Sequence, residues 1–113
     1  MALTKERNVY TWGSGANGRL GHGNEITYPE PKIVDQLNLN EDIIFIAAGE
    51  DNSAAINSRG ILYTWGNSKY GKLGLGTEDN VYFPNKLLDQ LLSKHRFFYI
   101  SLGENHTLAI ACN

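Results

Sequence analysis

Two short glycine-rich stretches hold residues of the kind that bind phosphates. GNSKYGKL, Gly66 to Leu73, spaces Gly66 and Gly71 as a nucleoside-triphosphate loop does and follows them with Lys72, so that backbone amides and an ammonium could cradle the anion. The next position spoils it. Leu73 stands where that loop needs a hydroxyl for magnesium, and the LGLGTEDN beyond it is a poor start for the helix that completes such a site. An earlier stretch, GSGANG at Gly13 to Gly18, fits the GxGxxG spacing of a dinucleotide-binding turn.

The other reactive side chains are scattered. None of His22, His95 and His106 has a cysteine or second histidine at zinc-ligand spacing, so no metal centre is expected. His106 and the lone Cys112 are near in sequence but lack the third group that would orient a base toward a nucleophile, and the pair reads as coincidence. The carboxylate pairs Glu50/Asp51 and Glu78/Asp79 fall in connections, where charge usually means solvation. No enzyme activity and no cofactor are expected.

Self-alignment shows what the glycine stretches are. VYTWGSGANGRLGHG (Val9 to Gly23) lies over LYTWGNSKYGKLGLG (Leu62 to Gly76), 53 residues on, with Tyr, Thr, Trp, Leu and four glycines identical. They are one loop, occurring twice. At an offset of 54, YPEPKIVDQL (Tyr28 to Leu37) lies over YFPNKLLDQL (Tyr82 to Leu91), and IIFIAAGEDNSAAI (Ile43 to Ile56) over FFYISLGENHTLAI (Phe97 to Ile110). The loop keeps its glycines while Ser14/Asn67, Ala16/Lys69 and Asn17/Tyr70 vary, so backbone shape defines it: glycine supplies positive φ for a tight strand connection. A phosphate cradle needs one such loop opening one helix, and that reading is set aside.

Repeats of this length that contain strands and turns make propeller blades or solenoid coils, in which each unit buries its faces on its neighbours. IIFIAA, SAAIN and ILYTWG read as strands, with NSRG (Asn57 to Gly60) as the hairpin turn between the last two. A fourth, poorer strand is expected around Lys86 to Leu88, after Pro84, which gives four per unit. LLDQLLSKH (Leu87 to His95) has its leucines at helical spacing and predicts a turn or two of helix, with the counterpart VDQLNLNED shorter or irregular. The fold class is all-β: blades of four antiparallel strands in two repeats, residues 8–59 and 60–113, after an N-terminal tail of residues 1–7.

The YTWG…GxLGxG loop, the proline after it, the I..I..GE segment and HTLAI together resemble the regulator-of-chromosome-condensation repeat, over about Asn8 to Asn113. The resemblance implies a seven-bladed type of β-propeller; the lone Cys112 and a charged MALTKERN with no apolar run behind it lead to the expectation of a reducing, intracellular setting, cytoplasmic or nuclear. Such repeats serve exchange factors for Ran-type small GTPases, nucleosome-binding proteins, a plant ultraviolet photoreceptor, β-lactamase inhibitors, and interaction domains of kinases and ubiquitin ligases; fold does not choose among them. The His of the family's GxxH is kept as His106 and replaced by Asn52 in the first copy, and the photoreceptor's Trp and Arg are absent from that connection. Trp12 and Trp65, which end the YTWG strands, are expected as core residues between blades.

In a propeller the connections at one rim face the same side, so GEDN and GENH would stand adjacent as an acidic, amide-rich patch. Glu50, Asp51, Glu104, Asn105 and His106 are the candidates for contact with a protein partner. The preferred function is a non-enzymatic protein-interaction module; the alternative is a part in guanine-nucleotide exchange on a Ran-like GTPase or in chromatin association. A formal net charge of -2 offers no basic stripe for phosphates, which speaks against direct nucleic-acid binding. IIFIAA is the longest apolar run, far short of the roughly 20 residues of a membrane span, and one cysteine builds no disulfide framework.

Two units do not close a ring, and closure is how propellers hide their edge strands. The expected first half-blade (third and fourth strands) and last half-blade (first and second) complement each other. Either the chain is a piece of a longer propeller, or copies assemble head to tail.

Overall fold

Short strands and tight turns give an all-β chain; the computed structural model describes residues 1–38, 41–87 and 95–112. β1 (Ala2–Leu3), β2 (Val9–Gly13) and β3 (Tyr28–Ile33) form the first sheet. β4 (Ile43–Ala48), β5 (Asn52–Asn57), β6 (Leu62–Gly66) and β7 (Val81–Lys86) form one whole four-stranded blade, and β8 (Arg96–Leu102) and β9 (Thr107–Cys112) form a hairpin. All neighbouring strands are antiparallel. Apart from single 3-10 turns at Ala16–Gly18, Asp35–Leu37 and Lys69–Gly71, the described residues contain no helix.

The NSRG hairpin forms because Asn57 closes it twice. Its side-chain oxygen accepts from the backbone N–H of Arg59 and Ile61, at 3.0 and 2.9 Å, while Gly60 takes a φ of 81° that a Cβ would strain. β5 lies at the centre of the molecule with every residue buried. Its alternating side chains serve two cores. Ala55 joins Val9, Val34, Leu37, Ile43, Tyr63 and Trp65 against the first sheet, whereas Ala54 and Ile56 join Leu62, Leu87 and Ile100 against the β8–β9 hairpin. Each sheet therefore buries its face on the next, as stacked units must.

Two expectations change. The fourth strand is Val81–Lys86 and runs through Pro84, rather than starting after it; among the described residues β7 pairs only with β6, and an edge strand tolerates the missing N–H. Residues 1–7, expected as a tail, place Ala2 and Leu3 opposite Tyr10 and Val9. Their turn is closed by Thr4 N–H to Asn8 carbonyl and Arg7 N–H to Thr4 carbonyl bonds, so the first half-blade has three strands. Most of the helix expected over Leu87 to His95 lies outside the described residues; its first-copy counterpart is a single 3-10 turn, Asp35–Leu37.

The glycine loops do what their spacing required. Gly13, Gly18, Gly21 and Gly23 and their counterparts Gly66, Gly71, Gly74 and Gly76 all take positive φ. Thr11 and Thr64 tie the loops down by donating their hydroxyls to the Leu20 and Leu73 carbonyls, at 2.6 and 2.8 Å. Glu25 and Glu78 accept the N–H of Asn17 and Tyr70, the two non-glycine loop residues at positive φ. Glu78 is therefore a loop brace, where the sequence offered only a solvated charge.

Beside the first loop, His22 Nε2 lies 2.8 Å from the Thr11 hydroxyl with its ring edge-on to Tyr28. Burial holds His22 below its ordinary pKa of 6.5; the Thr11 hydrogen bond and Asp35 pull the other way, and Lys32 adds to the lowering. The unfolded chain then binds the proton first as pH falls through 6.5, so stability present above that pH is lost below it. Urea midpoints at about pH 7.5 and pH 5 should differ less for His22→Gln than for the parent chain. Equal differences would exclude His22 as the titrating group.

Candidate functional site

The rim between blades is built from two kinds of segment: the strand connections Gly49 to Asn52 and Gly103 to His106, and the glycine loops that reach them. Each connection is closed the same way, Gly49 N–H donating to the Asn52 carbonyl and Gly103 N–H to that of His106, both at 2.8 Å. The repeat thus fixes equivalent backbone turns on successive units.

A cation from the preceding loop then clamps each connection. Arg19 donates from its guanidinium to the Glu50 carbonyl at 3.0 Å. Lys72 goes further: Nζ pairs with Asp51 Oδ1 at 2.7 Å and donates to the Glu104 carbonyl at 2.8 Å. Its side chain is 2% exposed. One buried ammonium therefore bridges the connection of its own blade to that of the next, and places GEDN and GENH side by side.

The five sequence candidates fare differently. Glu50 and Glu104 are exposed, with their backbone carbonyls held by Arg19 and Lys72. Asp51 is not a free acidic group, because Lys72 neutralises it and its own carbonyl accepts from Asn67 N–H. Asn105 and His106 are exposed and line a groove of about 450 Å³ with Tyr70, Lys72, Leu73, Phe97 and Thr107. The His106 ring covers Gly103, where a Cβ would lie 2.6 Å from it. In the first copy Asn52 takes the same position, is buried, and leaves both ends of its side-chain amide without a hydrogen-bond partner. The patch is thus less acidic than expected, carrying two exposed carboxylates over an internal ion pair.

Sequence reasoning weighed Lys72 only as part of a phosphate loop and gave neither it nor Arg19 a place in the rim they clamp. A signal was there: the same loop position carries a cation in both copies. On the opposite rim, Glu41 accepts from the Tyr63 hydroxyl and pairs with Arg59 at 3.5 Å. Burial, together with that carboxylate, pushes the Tyr63 phenol well above its ordinary range.

The two tryptophans separate as well. Trp65 is fully buried: it lies against Gly21 and donates Nε1–H to the Arg19 carbonyl at 3.0 Å. Trp12, expected in the same role, is 39% exposed. Arg19 and Gly21 of the preceding glycine loop supply the seat of Trp65, and among the described residues no such loop covers Trp12.

The regulator of chromosome condensation (RCC1) repeat model matches residues 8–56 and 59–110, and a second RCC1 repeat model matches residues 43–72. The human E3 ubiquitin-protein ligase HERC2 is 40% identical over 87 residues, covering 74% of this chain and 2% of the ligase. The dog X-linked retinitis pigmentosa GTPase regulator is 37% identical over 110 residues, 94% of this chain and 11% of that protein. The chain thus spans a small part of the relatives it matches. Among solved structures, human WBSCR16 superposes with a TM-score of 0.82 at 26% identity, over 96% of this chain and 28% of that one. Prp20p of Saccharomyces cerevisiae, described with its binding to Gsp1p and histones, superposes at 0.79 and 22% identity, over 96% of this chain and 27% of that one. With both copies of the unit matched and the blades superposing on those of these proteins, the chain belongs to the regulator of chromosome condensation (RCC1) repeat family.

Proposed function

We propose that this stretch of propeller is a non-enzymatic, intracellular protein-interaction module whose rim, Glu50, Asp51, Glu104, Asn105 and His106, meets a protein partner. The observation that carries it is the Lys72 bridge, which fixes two successive connections as one rigid surface. With Asp51 consumed internally, Glu50 and Glu104 are the carboxylates left to face a partner's basic groups. Such complementarity acts mainly on association rate and its salt dependence.

A Ran-type small GTPase is the second reading for the partner, favoured by the 37% identity to a protein named as a GTPase regulator. Both readings are tested by binding kinetics against a Ran-type GTPase and against histones, the latter named as bound by Prp20p. Glu50→Lys with Glu104→Lys should slow association about tenfold at low salt and flatten its salt dependence. Unchanged association rates would dispose of the rim. Nucleotide release from the GTPase that is no faster with the chain than without it would dispose of exchange. In the same reading, the divided blade is completed either by further units of a longer propeller or by a second copy of the chain, head to tail.

A further inference from the structure

The first sheet and the whole blade enclose a small cavity where β3 and β7 come together. Its walls are Gly21 and His22 of the first glycine loop, Lys32 of β3, Asp35 and Gln36 of the 3-10 turn after it, and Phe83 of β7. None of them belongs to the rim. At about 110 Å³ the cavity is well below the roughly 300 to 1,000 Å³ of small-molecule sites, and it has room for the end of one side chain.

Hydrogen bonding decides which nitrogen of His22 carries its proton. The Thr11 hydroxyl has one proton and two neighbours, the Leu20 carbonyl at 2.6 Å and His22 Nε2 at 2.8 Å. Its counterpart Thr64 donates to the Leu73 carbonyl at 2.8 Å, in a loop that carries Leu75 in place of His22. The carbonyl is the partner common to both units and takes the hydroxyl proton. His22 Nε2–H therefore donates to Thr11, and Nδ1 holds the free lone pair. Among the described residues no donor reaches Nδ1, and Asp35 is in no ion pair. Lys32 and Asp35 are the charges that act on His22, and the Lys32 ammonium lies 5.7 Å from the centre of the Tyr28 ring.

The cavity thus offers two open acceptors, one of them charged, beside an aromatic wall. We infer that it receives an arginine side chain of a partner protein, the guanidinium donating to the Asp35 carboxylate and to His22 Nδ1 and lying against the Phe83 ring. A carboxylate in the same place would meet Asp35 and a second lone pair. An ammonium lacks the planar fork that reaches two acceptors at once and stacks on a ring. Lys32 opposes any cation there, but its stem is flexible and the Tyr28 ring already holds its charge to one side. With Leu75 in place of His22, the second unit lacks the Nδ1 acceptor, so the complete set belongs to the first unit. The site goes beyond the rim reading and stands without it.

The test is an NMR titration of the isotope-labelled chain with acetylated, amidated Gly-Arg-Gly, and with the same peptide carrying Lys or Glu in place of Arg. The arginine peptide should give saturable shifts at Gly21, His22, Asp35 and Phe83, the lysine peptide should bind about threefold more weakly, and the glutamate peptide should leave these signals unmoved. Asp35→Asn and His22→Leu should each weaken arginine binding at least about fivefold, and Lys32→Met should tighten it. The leucine variant copies the second unit's own residue at that place, so the loop is expected to keep its form. No shift at the four residues, shifts with the glutamate peptide, or weaker binding in Lys32→Met would overturn the arginine site. Binding undiminished in both Asp35→Asn and His22→Leu would overturn it as well.

Discussion

Replacing Trp65 by alanine is expected to cost about 3 to 5 kcal/mol, a large share of the margin of a typical domain, while the same change at Trp12 costs the isolated chain less than about 1 kcal/mol. The two residues occupy identical places in identical YTWG strands. Their environments differ. Trp65 is 0% exposed, fills the seam between the first sheet and the whole blade, and gives its indole N–H to the Arg19 carbonyl. Alanine leaves a cavity between units whose cohesion is mutual burial, and the seam cannot collapse without moving Gly21 and its loop. Phenylalanine should recover most of the packing and lose the hydrogen bond, for a net cost of about 1 to 2 kcal/mol. Urea denaturation of the three variants decides it. A Trp65→Ala chain within about 1 kcal/mol of Trp12→Ala would mean that the seam is not the seat of stability.

Lys72→Met should be the next most damaging change, at about 2 to 4 kcal/mol. Methionine keeps the length of the stem and removes the ammonium. It strands Asp51 Oδ1 and the Glu104 carbonyl together, and the side-chain site is nearly closed to water on the lysine side. The cost falls short of a fully buried pair because the Asp51 side chain is 24% exposed and can rehydrate. Adding Asp51→Asn to Lys72→Met should recover part of the loss, since the unpaired charge and not the missing bridge is the larger penalty. A double-mutant cycle over Lys72 and Asp51 measures the coupling, expected at about 1 kcal/mol or more. Near-additive losses would mean that the two connections are held by their own turns. Arg19, whose bond to the Glu50 carbonyl is solvent-exposed, should tolerate alanine at less than about 1 kcal/mol.

The errors of the sequence reading share a cause with its successes. Pro84 reads as the end of a loop because proline breaks ladders, yet β7 is an edge strand, and nothing local tells a residue which side of its strand has a neighbour. Ala2 keeps the same 53-residue offset to Ala55 that unites the glycine loops, but two residue pairs are too few to separate a strand from a tail. Asp51 and Lys72 are 21 residues apart and belong to segments of opposite character, an acidic turn and a glycine loop. Only the pairing of β5 with β6 in one sheet makes them partners.

By itself the sequence determined most of what depends on a residue and its near neighbours: the positive φ of eight paired loop glycines, the Asn57 turn, the apolar strands, and the unit that repeats them. Those are backbone preferences, so they recur wherever the same residues recur. Burial is not a property of one unit. Whether a repeated tryptophan is buried or half-exposed, whether a rim aspartate is free charge or ion pair, and whether a proline sits at an edge were decided by residues distant along the chain, and only the folded sheets bring those neighbours together.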